Sequence, residues 1–521
     1  MKKIFPALIL LCSSLTALTA QNQAPVIENW QVAADWTAQT LVVNYEVSDA
    51  ENDPLEITLQ LSDNNGRNYA VSVPMTGDLG FPVAPGSRSI TCDISSLANL
   101  AAAFKVRLVA DDRQPFDIQA LVDEVDSVRM RANLEFIQGI RHRSTGAAHL
   151  GDVRDSLRNL FVNNGLYYET QDVPLGNYTG KNLIGSHPGV TAAEQVVVND
   201  AHYDSVNNAP GADDNGSGVT GVMEGAYLLS RYPCKKTLRF IGFDLEEDGL
   251  VGSIRYVLSG IPAGENIAGV FNYEMIGYWS DEPNSQELPP GFPLLFPVQT
   301  QILAANQYRG DFITNVGNTA SQQLALLFSN SAQQYVPDLK VITLDVPGNG
   351  QIAPDLRRSD HAPFWEAGKQ ALMLTDGANF RNECYHTPAD TLDEKLNFTF
   401  MSNVVKATVA SMAEMAEIIH GDWAATSFAA NVGVAQAPVC RINAYPAGGG
   451  NQEMVLEVSS CPFPTLRAEL YDLKGSLLRA ETLDIPGAGL YRMATPSLPA
   501  GIYLLKINTG TETQTLKVAL R

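Results

Sequence analysis

Five short segments place imidazole or carboxylate side chains just where apolar runs end. His202 and Asp204 follow Val196-Val197-Val198, and Glu246 and Glu247 close the run that begins at Leu238. Glu274 follows Val270-Phe271-Asn272-Tyr273. Asp213 and Asp214 sit in the Gly-rich stretch Gly211-Ala212-Asp213-Asp214-Asn215-Gly216-Ser217-Gly218. His386 lies in Tyr385-His386-Thr387-Pro388-Ala389-Asp390, beyond the run Ala371–Leu374. Imidazole nitrogen and carboxylate oxygen are zinc donors, at about 2.0–2.2 Å. One carboxylate can bridge two ions about 3.5–4 Å apart, and a metal-activated water is then a nucleophile near neutral pH. Adjacent glutamates can divide the work, one on metal and one carrying a proton. Asp204, two residues past His202, is placed to orient that imidazole from behind. Singly, each segment has a plainer reading as a polar strand end, a helix cap or a loop histidine. Their joint occurrence carries the inference, as does the presence of His202, His361 and His386, three of only seven histidines, in or beside these segments.

Such residues need a scaffold that brings strand ends together. From 118 to 422, buried-strand runs alternate with helical spacing, as in Val219, Val222, Met223, Ala226 and Leu229. That alternation predicts an α/β domain with a mixed, largely parallel central sheet and helices on both faces. Open sheets of this kind gather ligand-binding residues past the carboxyl ends of their strands.

The flanks read differently. Residues 21–115 alternate apolar and polar positions, as in Leu41, Val43, Tyr45, Val47 and again Leu55, Ile57, Leu59, Leu61. We expect an immunoglobulin- or fibronectin-like β-sandwich there. Asp49, Glu51 and Asp53 read as solvated turn residues more readily than as a calcium loop. Residues 423–438, rich in Ala, Ser, Asn and Gly, are expected to be a linker, and 439–521 a second β-domain. Lys2, Lys3 and the apolar stretch from Ile4 to Leu18, ending at Ala20, predict a signal peptide over residues 1–20. Beyond it lie five cysteines, with Cys440 and Cys461 the expected disulfide. A net charge of −22 and a pI near 4.7 argue against a nucleic-acid partner, which calls for clustered Lys and Arg.

In order and spacing, H-Y-D-S (202–205), P-G-A-D-D-N-G-S-G (210–218), E-E-D-G-L-V-G-S (246–253), E-M-I-G-Y (274–278), S-D-H-A-P-F (359–364) and Y-H-T-P-A-D-T (385–391) resemble the secreted bacterial leucyl-type di-zinc aminopeptidases of metallopeptidase family twenty-eight. Their wider family includes glutamate carboxypeptidases and glutaminyl cyclases. The resemblance covers residues 118–420. It implies that His202 and Glu274 bind one zinc, Glu247 and His386 the other, and that Asp214 rather than Asp213 bridges them. Glu246 would be the general acid/base, Asp204 the partner of His202, and Tyr385 a steadying group for the oxyanion. Asp360 and His361 would be neighbours of the site. The family usually carries aspartate where Glu274 stands, so the longer side chain points to a looser metal at the His202/Glu274 site.

The segments L-Y-D-L-K-G (470–475), L-P-A-G-I-Y-L-L-K-I (498–507) and K-V-A-L-R at the end resemble the sorting domains read by type IX secretion systems. That resemblance implies dealings with the secretion machinery and a secreted protein, extracellular or attached to the outer-membrane surface. The reading is therefore a secreted zinc exopeptidase acting on N-terminal residues of peptides or proteins. Its alternatives are a glutaminyl cyclase, a carboxypeptidase using Arg357 and Arg358 to hold a terminal carboxylate, or a non-catalytic binding or adhesion protein.

Overall fold

A computed structural model describes residues 22–98, 100, 102–392, 395–430, 441–446, 453–460, 465–472, 476–485, 489–496, 498–499, 501–508 and 513–520. The expected signal peptide, Cys440 and Cys461 lie outside the described residues. The chain divides into two compact units, one of residues 1–96 and 102–429, the other of 97–101 and 430–521.

The first unit opens with β1 (Val26–Asp35), β2 (Thr40–Ser48), β3 (Leu55–Ser62), β4 (Met75–Gly77), β5 (Gly80–Val83), β6 (Gly86–Asp93) and β7 (Phe104–Asp111). The alternation in β2 and β3 buries Leu41, Val43, Tyr45, Val47, Leu55, Ile57, Leu59 and Leu61, as period-two patterning requires. Asp49 accepts the Asp53 N–H at 2.8 Å, a turn role.

Eight strands then form one mixed sheet: β8 (Tyr167–Leu175), β9 (Tyr178–His187), β10 (Ala192–His202), β11 (Lys236–Phe243), β12 (Asn266–Tyr273), β13 (Ile313–Asn318), β14 (Val341–Val346) and β15 (Ala371–Thr375). Their order is β14-β13-β15-β12-β10-β11-β9-β8. β10, β11, β12 and β15 run parallel, so their carboxyl ends share one edge. The pairings β8/β9, β9/β11 and β13/β15 are antiparallel. Adjacent residues serve opposite faces. Val197, Leu372 and Leu374 pack with helices Ala147–Asn163, Gly218–Leu229 and Phe398–Ala416. Val196, Val198, Ala371 and Met373 pack with Tyr256, Phe364 and Trp365 of helices Val251–Ser259 and His361–Glu366.

The expected linker begins inside a strand. β16 (Gly421–Phe428) pairs antiparallel with β7 along its whole length. The amino-terminal region therefore comprises two four-stranded sheets, β1-β2-β6-β4 and β16-β7-β3-β5, the second completed from beyond the α/β domain. Its hydrogen-bonded neighbour outweighs the weak strand propensity of Ala424, Ala425 and Ser427. Buried Arg107 on β7 donates to the carbonyls of Pro188 (2.5 Å) and Gly189 (2.9 Å), tying these sheets to the α/β domain.

The second unit holds a three-stranded sheet, β17 (Arg441–Pro446), β18 (Glu453–Ser460) and β21 (Gly489–Ala494). Its other sheet has the order β20-β19-β22-β23, with β19 (Thr465–Tyr471), β20 (Leu477–Asp484), β22 (Gly501–Asn508) and β23 (Thr513–Leu520). Among the described residues no helix is long and apolar enough to cross a membrane.

Candidate metal centre

The shared edge of β10, β11, β12 and β15 brings His202, Glu246, Glu247, Glu274 and, through the following loop, His386 around Asp214. One Asp214 oxygen lies 3.4 Å from His202 Nε2, the other 3.0 Å from His386 Nε2. Glu274 Oε2 is 3.5 Å from His202 Nε2, and Glu247 Oε2 is 3.2 Å from His386 Nε2. The donors thus form three overlapping sets: His202, Asp214 and Glu274; Asp214, Glu247 and His386, which shares Asp214 with the first; and His202, Glu246 and Glu247. His202 Nε2, Asp214 Oδ2, Glu247 Oε1 and His386 Nε2 are buried atoms with no hydrogen-bond partner. Buried polar atoms are rarely left so, and an N/O donor set of this kind fits zinc.

Local chemistry explains how the strand ends hold this shape. Gly211 has φ +61°, and a Cβ there would meet the Asp214 carbonyl at 2.2 Å, so only glycine fits. Asn215 donates to the Tyr273 carbonyl (2.8 Å) and accepts the Met275 N–H (3.2 Å), while Ser217 accepts the Ile276 N–H (2.9 Å). The Asp214 loop is thereby tied to the turn carrying Glu274. Leu245, Met275 and His386, none of them glycine, adopt left-handed φ of 60°, 54° and 58°. Such positions cost about 1–3 kcal/mol each and persist where surrounding bonds over-determine them.

Asp204 has two tasks. Its carbonyl lies 3.2 Å from His202 Nδ1, and its two carboxylate oxygens accept the N–H groups of Glu246 and Glu247, each at 3.2 Å. Asp213 faces away from the donors, accepting from Gly277 N–H (3.0 Å) and the Asn382 amide (2.9 Å). Sequence reasoning gave no role to three further residues. Asp390 accepts the N–H groups of Asp213 (2.9 Å) and Asp214 (3.1 Å). Ser359 donates to Glu274 Oε2 at 2.7 Å. Arg141, fully buried, donates to the carbonyls of Tyr203, Pro210 and Gly211 beneath the cluster. Asp390 and Ser359 stand inside the motifs quoted above; nothing in the sequence around Arg141 signals its place.

Crowding leaves the acids short of positive charge. Burial, followed by the neighbouring Glu274 and Glu247, holds the Glu246 carboxyl well above the usual range. Burial and then Asp214 push Glu247 up to about 7. At His386, burial opposes the charged form, but Asp214 and Glu247 outweigh it and the imidazole rises to about 10. Bound cations relieve carboxylates arranged in this way. Asp360 and His361 lie fully buried behind the donors. His361 Nε2 meets the Leu356 carbonyl at 3.0 Å, and burial lowers its pKa to about 3.

Tyr385 stacks on the His386 ring and borders a largely apolar pocket. Its lining includes the polar Glu274, Arg358 and Tyr385 and the apolar Leu288, Phe292, Phe312 and Met373. The segment 279–358 therefore supplies much of this wall. Arg357 is engaged elsewhere, with Glu366 and the Asn349 carbonyl, both at 2.5 Å.

A mixed α/β sheet with zinc-type donor sets at its carboxyl edge and the buried Glu246 carboxyl beside them fits one class of protein, a zinc metallo-exopeptidase. Residues 182–412 match the profile of Peptidase family M28, and 451–521 that of the secretion system C-terminal sorting domain. An Escherichia coli K12 protein, the uncharacterized protein YfbL, is 32% identical over 273 residues, 49% of this chain and 76% of its own length. Leupeptin-inactivating enzyme 1 of Streptomyces exfoliatus is 32% identical over 236 residues, 41% of this chain and 44% of its own. The match to aminopeptidase YwaD of Bacillus subtilis is 31% identical and spans 42% of this chain and 41% of that one. The chain thus spans under half the length of these last two relatives. Among solved structures, an aminopeptidase from Aneurinibacillus sp. strain AM-1 aligns over 58% of this chain and 96% of its own at 16% identity, with a TM-score of 0.44. The chain belongs to Peptidase family M28, and its carboxyl-terminal sorting domain makes it a secreted protein.

Proposed function

We propose that this protein is a two-zinc aminopeptidase that removes N-terminal residues with apolar side chains from peptides. The observation that carries the reading is the sharing of Asp214 between two donor sets with Glu246 alongside. His202, Asp214 and Glu274 would hold one ion, and Asp214, Glu247 and His386 the other. Zinc held by these residues would supply Lewis acidity toward a scissile carbonyl and a water. The chain's own groups do the rest. Glu246, buried beside the donors, takes a proton from the attacking water and passes it to the leaving amine. Glu246 and Glu274 offer negative charge to a free α-amine. The pocket beside Glu274 and Tyr385 receives the first side chain. Of the two arginines that a carboxypeptidase would use for a terminal carboxylate, Arg357 is paired with Glu366, and Arg358 at the pocket's border is engaged by Tyr385 and Asn379. We further read residues 1–20 as a cleaved signal peptide, the amino-terminal sheets as an immunoglobulin-like sandwich, and the destination as the extracellular medium or the outer-membrane surface.

A panel of aminoacyl p-nitroanilides tests the reading. The expected result is chelator-sensitive release, fastest for apolar residues and abolished when the α-amine is acetylated. Cleavage indifferent to acetylation would refute it. Conversion of N-terminal glutamine to pyroglutamate without peptide hydrolysis would point instead to a cyclase.

A further inference from the structure

Tyr385 lies flat on His386, with ring centroids 3.8 Å apart and 16° between the planes. Its hydroxyl therefore cannot swing freely without disturbing that imidazole. Arg358 Nη2 donates to Tyr385 Oη at 2.8 Å. The same guanidinium is held from the other side by Asn379 Oδ1 at 3.0 Å and by Asp355 at 3.8 Å. Asp355, Arg358, Asn379 and Tyr385 all border the apolar pocket that Glu274 also borders. A phenol oxygen whose lone pair already receives a charged donor turns its own O–H elsewhere. Among the described residues the structure shows no acceptor for that O–H.

We propose that Arg358 is a positioning residue: by occupying Tyr385 Oη it aims the phenolic proton at the carbonyl oxygen of a bound substrate and strengthens it as a donor. This rests on the aminopeptidase reading, with Tyr385 as the group that meets the developing oxyanion. Arg358 itself need not touch substrate. Chains that bind carboxylates directly also use arginine, so the test must separate the two roles.

The full-length protein is compared with Arg358→Met, Tyr385→Phe and the double variant, using leucine p-nitroanilide and recording kcat, KM and zinc per chain. Tyr385→Phe is expected to lower kcat about 100-fold, as loss of an oxyanion donor does. Arg358→Met is expected to lower kcat about tenfold, the scale of a lost supporting partner, with KM and zinc content unchanged. In the Tyr385→Phe background the arginine change should have no further effect on kcat. Arg358→Lys, which keeps a cationic donor, should recover part of kcat, and it replaces Arg358→Met in the cycle if that variant does not fold. Multiplicative losses in the double variant would overturn the proposal. So would a rise in KM at constant kcat, which would make Arg358 a substrate-binding group. If the unaltered protein shows no chelator-sensitive release, the aminopeptidase reading fails instead.

Discussion

The two halves of the donor cluster share Asp214 but are built differently. The His202 side chain is 1% exposed, and Glu274 beside it is buried. That half is backed by the Asp204 carbonyl on His202 and by Ser359 on Glu274, whereas the Asn215 and Ser217 bonds hold the loop of Asp214, which both halves share. The His386 side chain is 35% exposed and rides on the loop after β15. The extra methylene of Glu274 suggested that the His202 half would hold metal less well. Its enclosure and the Ser359 hydrogen bond lead us to propose the opposite ranking, an inner, slowly exchanging ion and an outer, faster one. On that proposal, enclosure and supporting hydrogen bonds would rank the two sites more than the identity of one ligand does.

Removing the shared group tests the comparison most severely. Asp214→Asn should abolish both sites, with activity falling at least about a thousandfold, since several kcal/mol of charge stabilisation go with it. Metal analysis and kinetics together check this. Glu246→Gln should lower kcat about 10²–10⁴-fold while leaving zinc per chain unchanged, since on the proposed reading that side chain carries a proton and not an ion. Ser359→Ala should weaken only the inner site, by about 10–100-fold in chelator competition, and leave the outer one alone. Equal weakening of both would remove the distinction.

The smallest effect concerns pH. His361 anchors the segment that presents Ser359 and Arg358, and its folded pKa of about 3 lies below an unfolded value of about 6.5. Between those values the unfolded chain binds more protons, so stability falls as pH drops through the window and is complete above it. His361→Gln should flatten the acid slope of denaturant stability between pH 6.5 and 4. An unchanged slope would show that this histidine does not set it.

Much of this site was legible because zinc chemistry draws on few residue types. His202, Asp214, Glu246, Glu247, Glu274 and His386 follow strand ends, and strand ends are readable from apolar runs. Asp390, Ser359 and Arg141 were not assigned roles because their partners are backbone groups or a side chain brought close by the fold. Asp390 meets N–H groups 177 and 176 residues away. The left-handed turns at Leu245, Met275 and His386 carry no glycine to announce them. In the fold, the parallel core of β10, β11, β12 and β15 followed from strand–helix alternation. β16 did not, because Ala424-Ala425-Thr426-Ser427 reads as a linker until β7 is there to pair with it. The antiparallel pairings of β8, β9 and β13 likewise depend on neighbours that a local pattern does not name.

Zinc counted per chain, in the purified protein and in His202→Ala and His386→Ala, tests the central claim most directly. The account predicts two ions in the unaltered protein and about one in each variant, with the ion left in His386→Ala resisting chelator longer than the ion left in His202→Ala. A single ion in the unaltered protein, or loss of all zinc from both variants, would contradict two sites joined by Asp214.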